Sequence, residues 1–234
     1  MKVANLSAFG GKAKACLGFF VGTRLLIVKC FLIMPFILGT KLGMTQVFQE
    51  NGTAVPATIV ESGGCVVIQV RTKEKDGYEA AQIGFGEKKK INKPMKGHLK
   101  DAGNFRYLKE FKIKAGDFSA GDKIEVNVFK PGDSVKVSSV SKAKGFQGVV
   151  KRHGFAGGPA SHGHKHNLRA PGSIGSTWPQ RVIKGMRMAG RMGGEAVSVR
   201  NLKIIKIDEE NKLIAVSGAI PGRNGVLVEI VGMK

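Results

Sequence analysis

Residues 134–194 read SVKVSSVSKAKGFQGVVKRHGFAGGPASHGHKHNLRAPGSIGSTWPQRVIKGMRMAGRMGG and contain no Asp or Glu. The stretch carries eleven Lys or Arg, twelve Gly and four of the chain's five His. Cations without acidic partners repel one another, and the stretch lacks the apolar residues that would offset the entropy lost on ordering. We therefore predict that it is not a folded core and that an external polyanion supplies the missing negative charge.

Two interpretations of this stretch remain open: a disordered basic linker, or an extension that becomes ordered on RNA. Phe146, Phe155 and Trp178, together with three separate prolines, make it more varied than low-complexity linkers are. Long loops inside compact domains tend to be either functional or disordered. The varied composition favours the extension that orders on RNA.

The candidate RNA-binding residues are those that can reach phosphates or bases. Arginine gives bidentate contacts to phosphate, an aromatic face stacks on a base, and glycine lets backbone N–H groups approach a phosphate. They are Lys142, Lys144, Lys151, Arg152, His153, His162, His164, Lys165, His166, Arg169, Gly172, Ser173, Gly175, Trp178, Arg181, Lys184, Arg187 and Arg191. Trp178 is interpreted as a stacking or wedging residue because its neighbours lack the apolar pattern of a core.

The charge of the whole chain is unevenly distributed. Its net charge is +21 and its pI is about 10.1, and residues 134–194 alone supply eleven of those positive charges. Such asymmetry argues for a nucleic acid or an anionic membrane surface as partner. The length of 234 residues and the 42% hydrophobic content are sufficient for one or two domains with a real core.

On both sides of the basic stretch the sequence alternates with period two, which predicts β-strands. The turn Asn51-Gly52 between alternating runs is the strongest short signal for a hairpin. Short strands at hairpin spacing favour a barrel or a sandwich over a parallel sheet. The predicted strands are 36–39, 44–49, 54–61, 65–71, 78–85, 105–113, 123–129, 196–207, 213–216 and 226–231.

These patterns predict a mainly β protein with one discontinuous β-barrel. Residues 34–133 and 195–234 form the barrel, with a small helical insertion near residues 88–105 that begins in a lysine-rich run. Residues 134–194 are then an insertion into the barrel, so its two ends must lie close together. Within it, residues 146–153 are predicted to make two helical turns before irregular extended backbone.

Residues 1–33 are free of acids and differ abruptly in composition from the rest of the chain. Arg24 and Lys29 interrupt their apolar run, which argues against a secretory signal and against a membrane-spanning helix. A start at Met34, with the preceding residues a spurious extension, is favoured over an organelle transit peptide or a membrane anchor. The three cysteines form no close pair, which favours a reducing compartment without a disulfide framework.

Enzyme signatures are poor in this sequence. It has no phosphate-binding loop, no nucleophile elbow and no zinc-protease motif. His162, His164 and His166 would share one side of an extended chain, but phosphate or base contact is favoured over a metal site there, because no acid lies nearby. Cys65 lies in an apolar run, where a buried thiol is favoured over a nucleophile. No cofactor, metal or catalytic residue is predicted.

The motifs resemble those of a known family. LGTKLGMTQVF at residues 38–48 is similar to the amino-terminal signature of the universal large-subunit ribosomal protein three in its bacterial form. KGFQGVVKR at 144–152, SHG at 161–163, RAPGSIG at 169–175 and KGMRMAGRMG at 184–193 resemble the central motifs of that family, in the same order. The likeness runs from about residue 35 to the carboxyl end.

The resemblance implies a translation-protein-type closed β-barrel, a small α+β insertion and a long basic Gly-rich loop that penetrates ribosomal RNA toward the peptidyl transferase centre. It also implies early binding near the 3′ end of the large-subunit rRNA, a role in subunit assembly, and neighbouring large-subunit proteins as partners. It implies no small-molecule substrate and no membrane. The expected location is the cytoplasmic ribosome, or an organellar ribosome if residues 1–33 are a transit peptide.

One position departs from that family. In some bacterial members a methylated Gln directly follows the Pro-Gly-Ser-Ile-Gly motif, and this chain has Ser176 there. Glutamine methylation is therefore not expected in this protein.

Overall fold

The chain folds into strands with few helical residues, which confirms the prediction of a mainly β protein. The computed structural model describes residues 35–99, 102–113 and 118–233. The strands are β1 Phe36–Phe48, β2 Ala54–Glu61, β3 Cys65–Arg71, β4 Ala80–Glu87, β5 Phe105–Lys112, β6 Lys123–Ile124, β7 Ser134–Val140, β8 Phe146–Gln147, β9 Gly190–Arg191, β10 Ala196–Asp208, β11 Leu213–Ser217 and β12 Leu227–Gly232. The helices are α1 Lys73–Asp76, α2 Lys93–Leu99 and α3 Val149–His153, and a 3-10 turn covers Val126–Val128.

The first two strands form the long hairpin that the sequence predicts. At its turn the Gln49 N–H donates to Thr53 O at 3.0 Å, and Gly52 adopts the positive φ of +77° that favours glycine. The period-two pattern of the sequence predicts two separate strands before this turn, at residues 36–39 and 44–49. The structure joins them into β1, because an irregularity in the pairing between Lys41 and Gly43 carries the strand across the break in pattern.

Six strands pair with one another in a closed barrel, in the order β1-β12-β7-β10-β11-β2. All six pairings are antiparallel. Alternate residues of each strand point inward, so Ile37, Val137, Ile214 and Ile230 are fully buried. Removal of these branched apolar side chains from water is the main stabilising contribution to the barrel.

One barrel strand lies where the sequence predicted none. β7 begins the stretch 134–194, which was predicted to lie outside the core, yet Val135 and Val137 are fully buried in the barrel. These residues were assigned to the basic stretch because they contain no acids, although they have a short period-two pattern that is typical of a strand. The part that leaves the barrel therefore begins at Ser141.

Residues 65–124 also differ from the predicted arrangement. The interpretation placed their strands in the barrel, but they form a separate four-stranded sheet in the order β5-β4-β3-β6. Its inward residues share one apolar cluster with the barrel, in which Phe36 of β1 stacks on Phe111 of β5 with ring centroids 4.7 Å apart. The predicted strand 123–129 is reduced to β6 and the 3-10 turn, and the predicted helical insertion contains α2.

Cys65 is buried beneath β1, as the apolar run around it predicts. Its side chain is fully shielded from solvent, and burial raises the pKa of the thiol to about 11. The thiol therefore stays protonated and behaves as a small apolar group.

The interpretations of residues 1–33 lie outside the described residues. Within the described ranges, the structure contains no helix with the length and apolar composition needed to cross a membrane.

Candidate nucleic-acid interface

Residues 141–195 leave the barrel as one excursion, called here the arm. It starts after β7 and returns into β10, where Val140 pairs with Ala196, so its two ends lie side by side as predicted. The Ser141 N–H donates to Glu195 O at 2.9 Å, and β8 pairs with β9 a little further out. The barrel thus fixes both limbs of the arm at their origin.

The base of the arm contains the short helix α3. The helix ends at Gly154, whose left-handed backbone lets its N–H donate back to Val149 O and Val150 O. Val149 is the one buried side chain within residues 141–195, all of which the structure describes. The predicted two helical turns are therefore shortened, because β8 takes the first two residues of that segment.

Beyond α3 the arm makes a loop that carries the three alternating histidines. The Gly158 N–H approaches Asn167 O at 3.2 Å and Leu168 O at 3.1 Å, which closes the loop at its neck. A side chain at Gly157, whose φ is +76°, would collide with Leu168 O, so only glycine fits there. The neck thus presents His162, Lys165 and His166 to solvent.

The three histidines do not form a metal site in this structure. No group of three His, Cys, Asp or Glu side chains suited to a metal ion occurs within residues 35–99, 102–113 and 118–233. His164 lies against Gly158 at the neck of the loop.

The distal part of the arm has no helix or strand from Phe155 to Ala189, as the prolines and glycines predict. Local side-chain hydrogen bonds shape it: the Ser173 hydroxyl donates to Gly175 O and the Ser176 hydroxyl donates to Trp178 O. Trp178 precedes a cis proline peptide bond, and 81% of its surface is exposed. With so much of its surface exposed, the indole is available to a partner and contributes nothing to the core.

The cations of the arm form no ion pair with a carboxylate of the part of the chain that the structure describes. The ion pairs formed among the described residues are Arg71–Asp76, Arg71–Glu110, Lys73–Glu79 and Lys109–Glu229, and none of them involves the arm. Of the arm's ten Lys and Arg, nine are exposed and only Arg152 is half-buried. A concentration of exposed, unpaired cations of this kind attracts a polyanion.

Most predicted site residues are exposed, but Arg152, His153 and Ser173 have side-chain hydrogen-bond partners within the arm. Arg152 Nη1 donates to Met188 O at 2.8 Å, and His153 Nε2 lies 3.0 Å from the same oxygen. Lys142 lies close to buried Lys41 of β1, whose Nζ donates to Ile220 O at 2.6 Å. Burial, followed by the charge of Lys142, lowers the pKa of Lys41.

The sequence interpretation missed part of this surface. Several apolar side chains of the arm are exposed beside the cations, and an acid-free segment with scattered apolar residues is the signal that could have identified them. They are Leu168, Ile174, Val182, Ile183 and Met186. Such side chains suit the sugar and base faces of a folded nucleic acid better than its phosphates.

Comparison with known proteins agrees with this geometry. A family model described as ribosomal protein L3 matches residues 102–220, which include the whole arm. A large ribosomal subunit protein uL3 from Herpetosiphon aurantiacus is 54% identical over 200 residues, covering 82% of this chain and 93% of the relative. Another uL3, from Chloroherpeton thalassium, is 49% identical over 209 residues, covering 86% of this chain and the whole relative.

A third large ribosomal subunit protein uL3, from Chlorobaculum tepidum, is 51% identical over 205 residues, covering 85% of this chain and 98% of the relative. The aligned regions span nearly the full length of each relative and 82–86% of this chain, so they include both barrel strands and the arm. The chain therefore belongs to the ribosomal protein L3 family, whose curated members carry the name large ribosomal subunit protein uL3.

Proposed function

We propose that this protein is a structural component of the large ribosomal subunit that binds ribosomal RNA through its arm. The observation that carries the proposal is the arm itself, with nine exposed cations and no ion pair to any described carboxylate. A polyanion with a folded surface supplies both the missing charge and a site for the exposed apolar side chains. The names of the relatives support ribosomal RNA as that polyanion.

The finer features come from the family resemblance. We propose that the protein binds near the 3′ end of the large-subunit rRNA, helps to start subunit assembly, and extends its arm toward the peptidyl transferase centre. Its further partners are neighbouring large-subunit proteins, and its location is the ribosome of the cytoplasm. The proposed role is structural and involves no substrate or cofactor.

The residues have different roles in this proposal. The exposed Lys and Arg of the arm contact phosphates, and His162, His164 and His166 contact phosphates or bases. The segment that contains Gly172, Ser173 and Gly175 brings backbone N–H groups to a phosphate. Gly172 has a φ of +81°, in the left-handed region, and such turns can point successive N–H groups toward an anion. Trp178 stacks on an unpaired base.

The direct test is whether the protein stays with large ribosomal subunits through a high-salt wash. We expect the wild-type chain to co-sediment with the subunits. In an assembled subunit the RNA would bury the arm's cations, and salt screens buried charge pairs less than exposed ones. A variant with Arg181, Lys184 and Arg187 changed to Gln should be lost from the washed subunits. Quantitative immunoblotting of gradient fractions measures both. Release of the wild-type protein along with loosely bound factors would count against a structural role.

Replacement of Trp178 should affect RNA binding but not folding. An exposed aromatic contributes about 1–3 kcal/mol per stacked base, so Trp178→Ala should weaken binding of large-subunit rRNA about 5- to 150-fold. Because the indole is exposed, the melting temperature should stay within about 2 °C of the wild-type value.

The matched control for this variant is Phe48→Ala, which removes a similarly exposed aromatic, 72% against 81% for Trp178, from the end of β1. Filter binding and differential scanning calorimetry on the three proteins give the two readouts. A loss of several degrees in Trp178→Ala would show instead that the indole belongs to the folded core.

A further inference from the structure

Arg152 differs from the other cations of the arm because its side chain joins the two limbs. The outgoing limb begins at Ser141, and the returning limb ends at Glu195. Arg152 stands in α3 on the outgoing limb, and its Nη1 donates to Met188 O at 2.8 Å on the returning limb. The next residue, His153, places Nε2 at 3.0 Å from the same oxygen. One carbonyl thus meets two side chains that lie 36 and 35 positions away along the chain.

The returning limb is shaped to receive the guanidinium. An ideal Cβ on Gly190 would lie 2.5 Å from Arg152 Nη1 and 3.0 Å from its Cζ. The guanidinium therefore occupies the space that a side chain at position 190 would take. This close approach explains why a glycine begins β9, and it also accounts for the half-buried state of Arg152.

The backbone alone provides few contacts at this point. β8 and β9 pair over only two residues each, and two further bonds join Lys144 N–H to Met192 O at 2.9 Å and Met192 N–H to Gly145 O at 3.0 Å. An isolated two-stranded ribbon is marginally stable in water. A charge-assisted hydrogen bond is roughly twice as strong as a neutral one, so the Arg152 contact is a large addition to so short a ribbon.

We propose that Arg152 is a positioning residue, which clamps the two limbs at the base of the arm before RNA binds, and that it is not one of the cations that contact phosphate. The RNA part of this inference rests on the proposed function; the clamp itself does not. Lys151, its exposed neighbour, makes no side-chain hydrogen bond or ion pair to any described residue and represents the phosphate-contacting class.

The first test uses the free full-length protein and needs no RNA. Amide hydrogen exchange, resolved by peptide, should be slower in residues 141–147 and 188–195 than in residues 156–187 of the wild-type chain. Arg152→Gln should speed exchange in residues 188–195 about tenfold, since a hydrogen bond to a charged group is lost. Barrel peptides should be unchanged.

Two further variants isolate the contact from the charge. Gly190→Ala keeps every cation but displaces the guanidinium from Met188 O, so it should reproduce the exchange of Arg152→Gln. Lys151→Gln removes a neighbouring charge without touching the clamp, so its exchange should equal that of the wild type. Wild-type exchange in Arg152→Gln, or in Gly190→Ala, would overturn the clamp.

The second test separates positioning from phosphate contact by the salt dependence of binding to transcribed bacterial large-subunit rRNA. Loss of one phosphate contact in Lys151→Gln should lower the slope of log K against log salt by about 0.7–0.9. Arg152→Gln should weaken binding with the slope unchanged. An equal fall in slope for both variants would overturn the positioning role and leave the proposed function intact. Absence of RNA binding by the wild type would contradict the proposed function, while the exchange result would still decide the clamp.

Discussion

The affinity of the purified protein for large-subunit rRNA should fall about 10³- to 10⁵-fold between roughly 50 and 200 mM salt, if the arm neutralises about 6–10 phosphates. Each neutralised phosphate releases condensed counterions, and added salt opposes that release. The arm has nine exposed cations free of carboxylate partners among the described residues, which is enough to supply this number of contacts. Fluorescence anisotropy with labelled rRNA fragments over a salt series measures the slope directly.

Three charge substitutions and one control test whether this salt dependence comes from the arm. Changing Arg181, Lys184 and Arg187 to Gln should lower the slope by about 2–3, at about 0.7–0.9 for each phosphate lost. Lys73 is the matched control, since it is exposed on α1, outside the arm, and its Nζ lies 3.9 Å from Glu79 Oε1. Lys73→Gln should leave the slope unchanged. A wild-type slope that corresponds to only one or two phosphates would contradict an interface built on these cations.

The local patterns predicted individual strands better than their assembly. The bounds of β2 and β3 agree with the prediction, because turn residues such as Asn51-Gly52 and Gly63-Gly64 mark where these apolar runs begin and end. The same patterns did not indicate that β3 leaves the barrel to join a second sheet. A strand's alternation shows that one face is buried but not which neighbour buries it, and that choice is made by packing such as Phe36 on Phe111.

Charge located the arm but placed its first edge one strand too early. The absence of acids placed β7 in the extension, although Val135 and Val137 belong to the barrel core. It also grouped Arg152 with Lys151, although only a contact across 36 residues distinguishes them. Such contacts depend on how the returning limb packs, which composition does not encode. Irregular backbone around Pro171 and Pro179, in contrast, arises from local sterics and was predicted.

Two isoleucines provide the sharpest comparison between barrel and arm. Ile230 of β12 is fully buried among the barrel strands, whereas Ile183 of the arm is 55% exposed. Ile230→Ala should lower the free energy of unfolding by about 2–5 kcal/mol, because it loses apolar burial and leaves a cavity. Ile183→Ala should change it by no more than about 0.5 kcal/mol. Urea denaturation of both variants, followed by far-ultraviolet circular dichroism, measures the difference.

The comparison tests whether the arm depends on RNA for its order. The two substitutions remove the same side-chain atoms, one set from a buried strand and the other from exposed irregular backbone. If the arm beyond its base lacks a core of its own, Ile183 can contribute only when RNA covers it. Ile183→Ala should then weaken rRNA binding while leaving unfolding unchanged, and Ile230→Ala should do the reverse at temperatures where the barrel stays folded. Comparable destabilisation by both changes would mean that the arm folds as part of the barrel's core, and its cations would need another explanation.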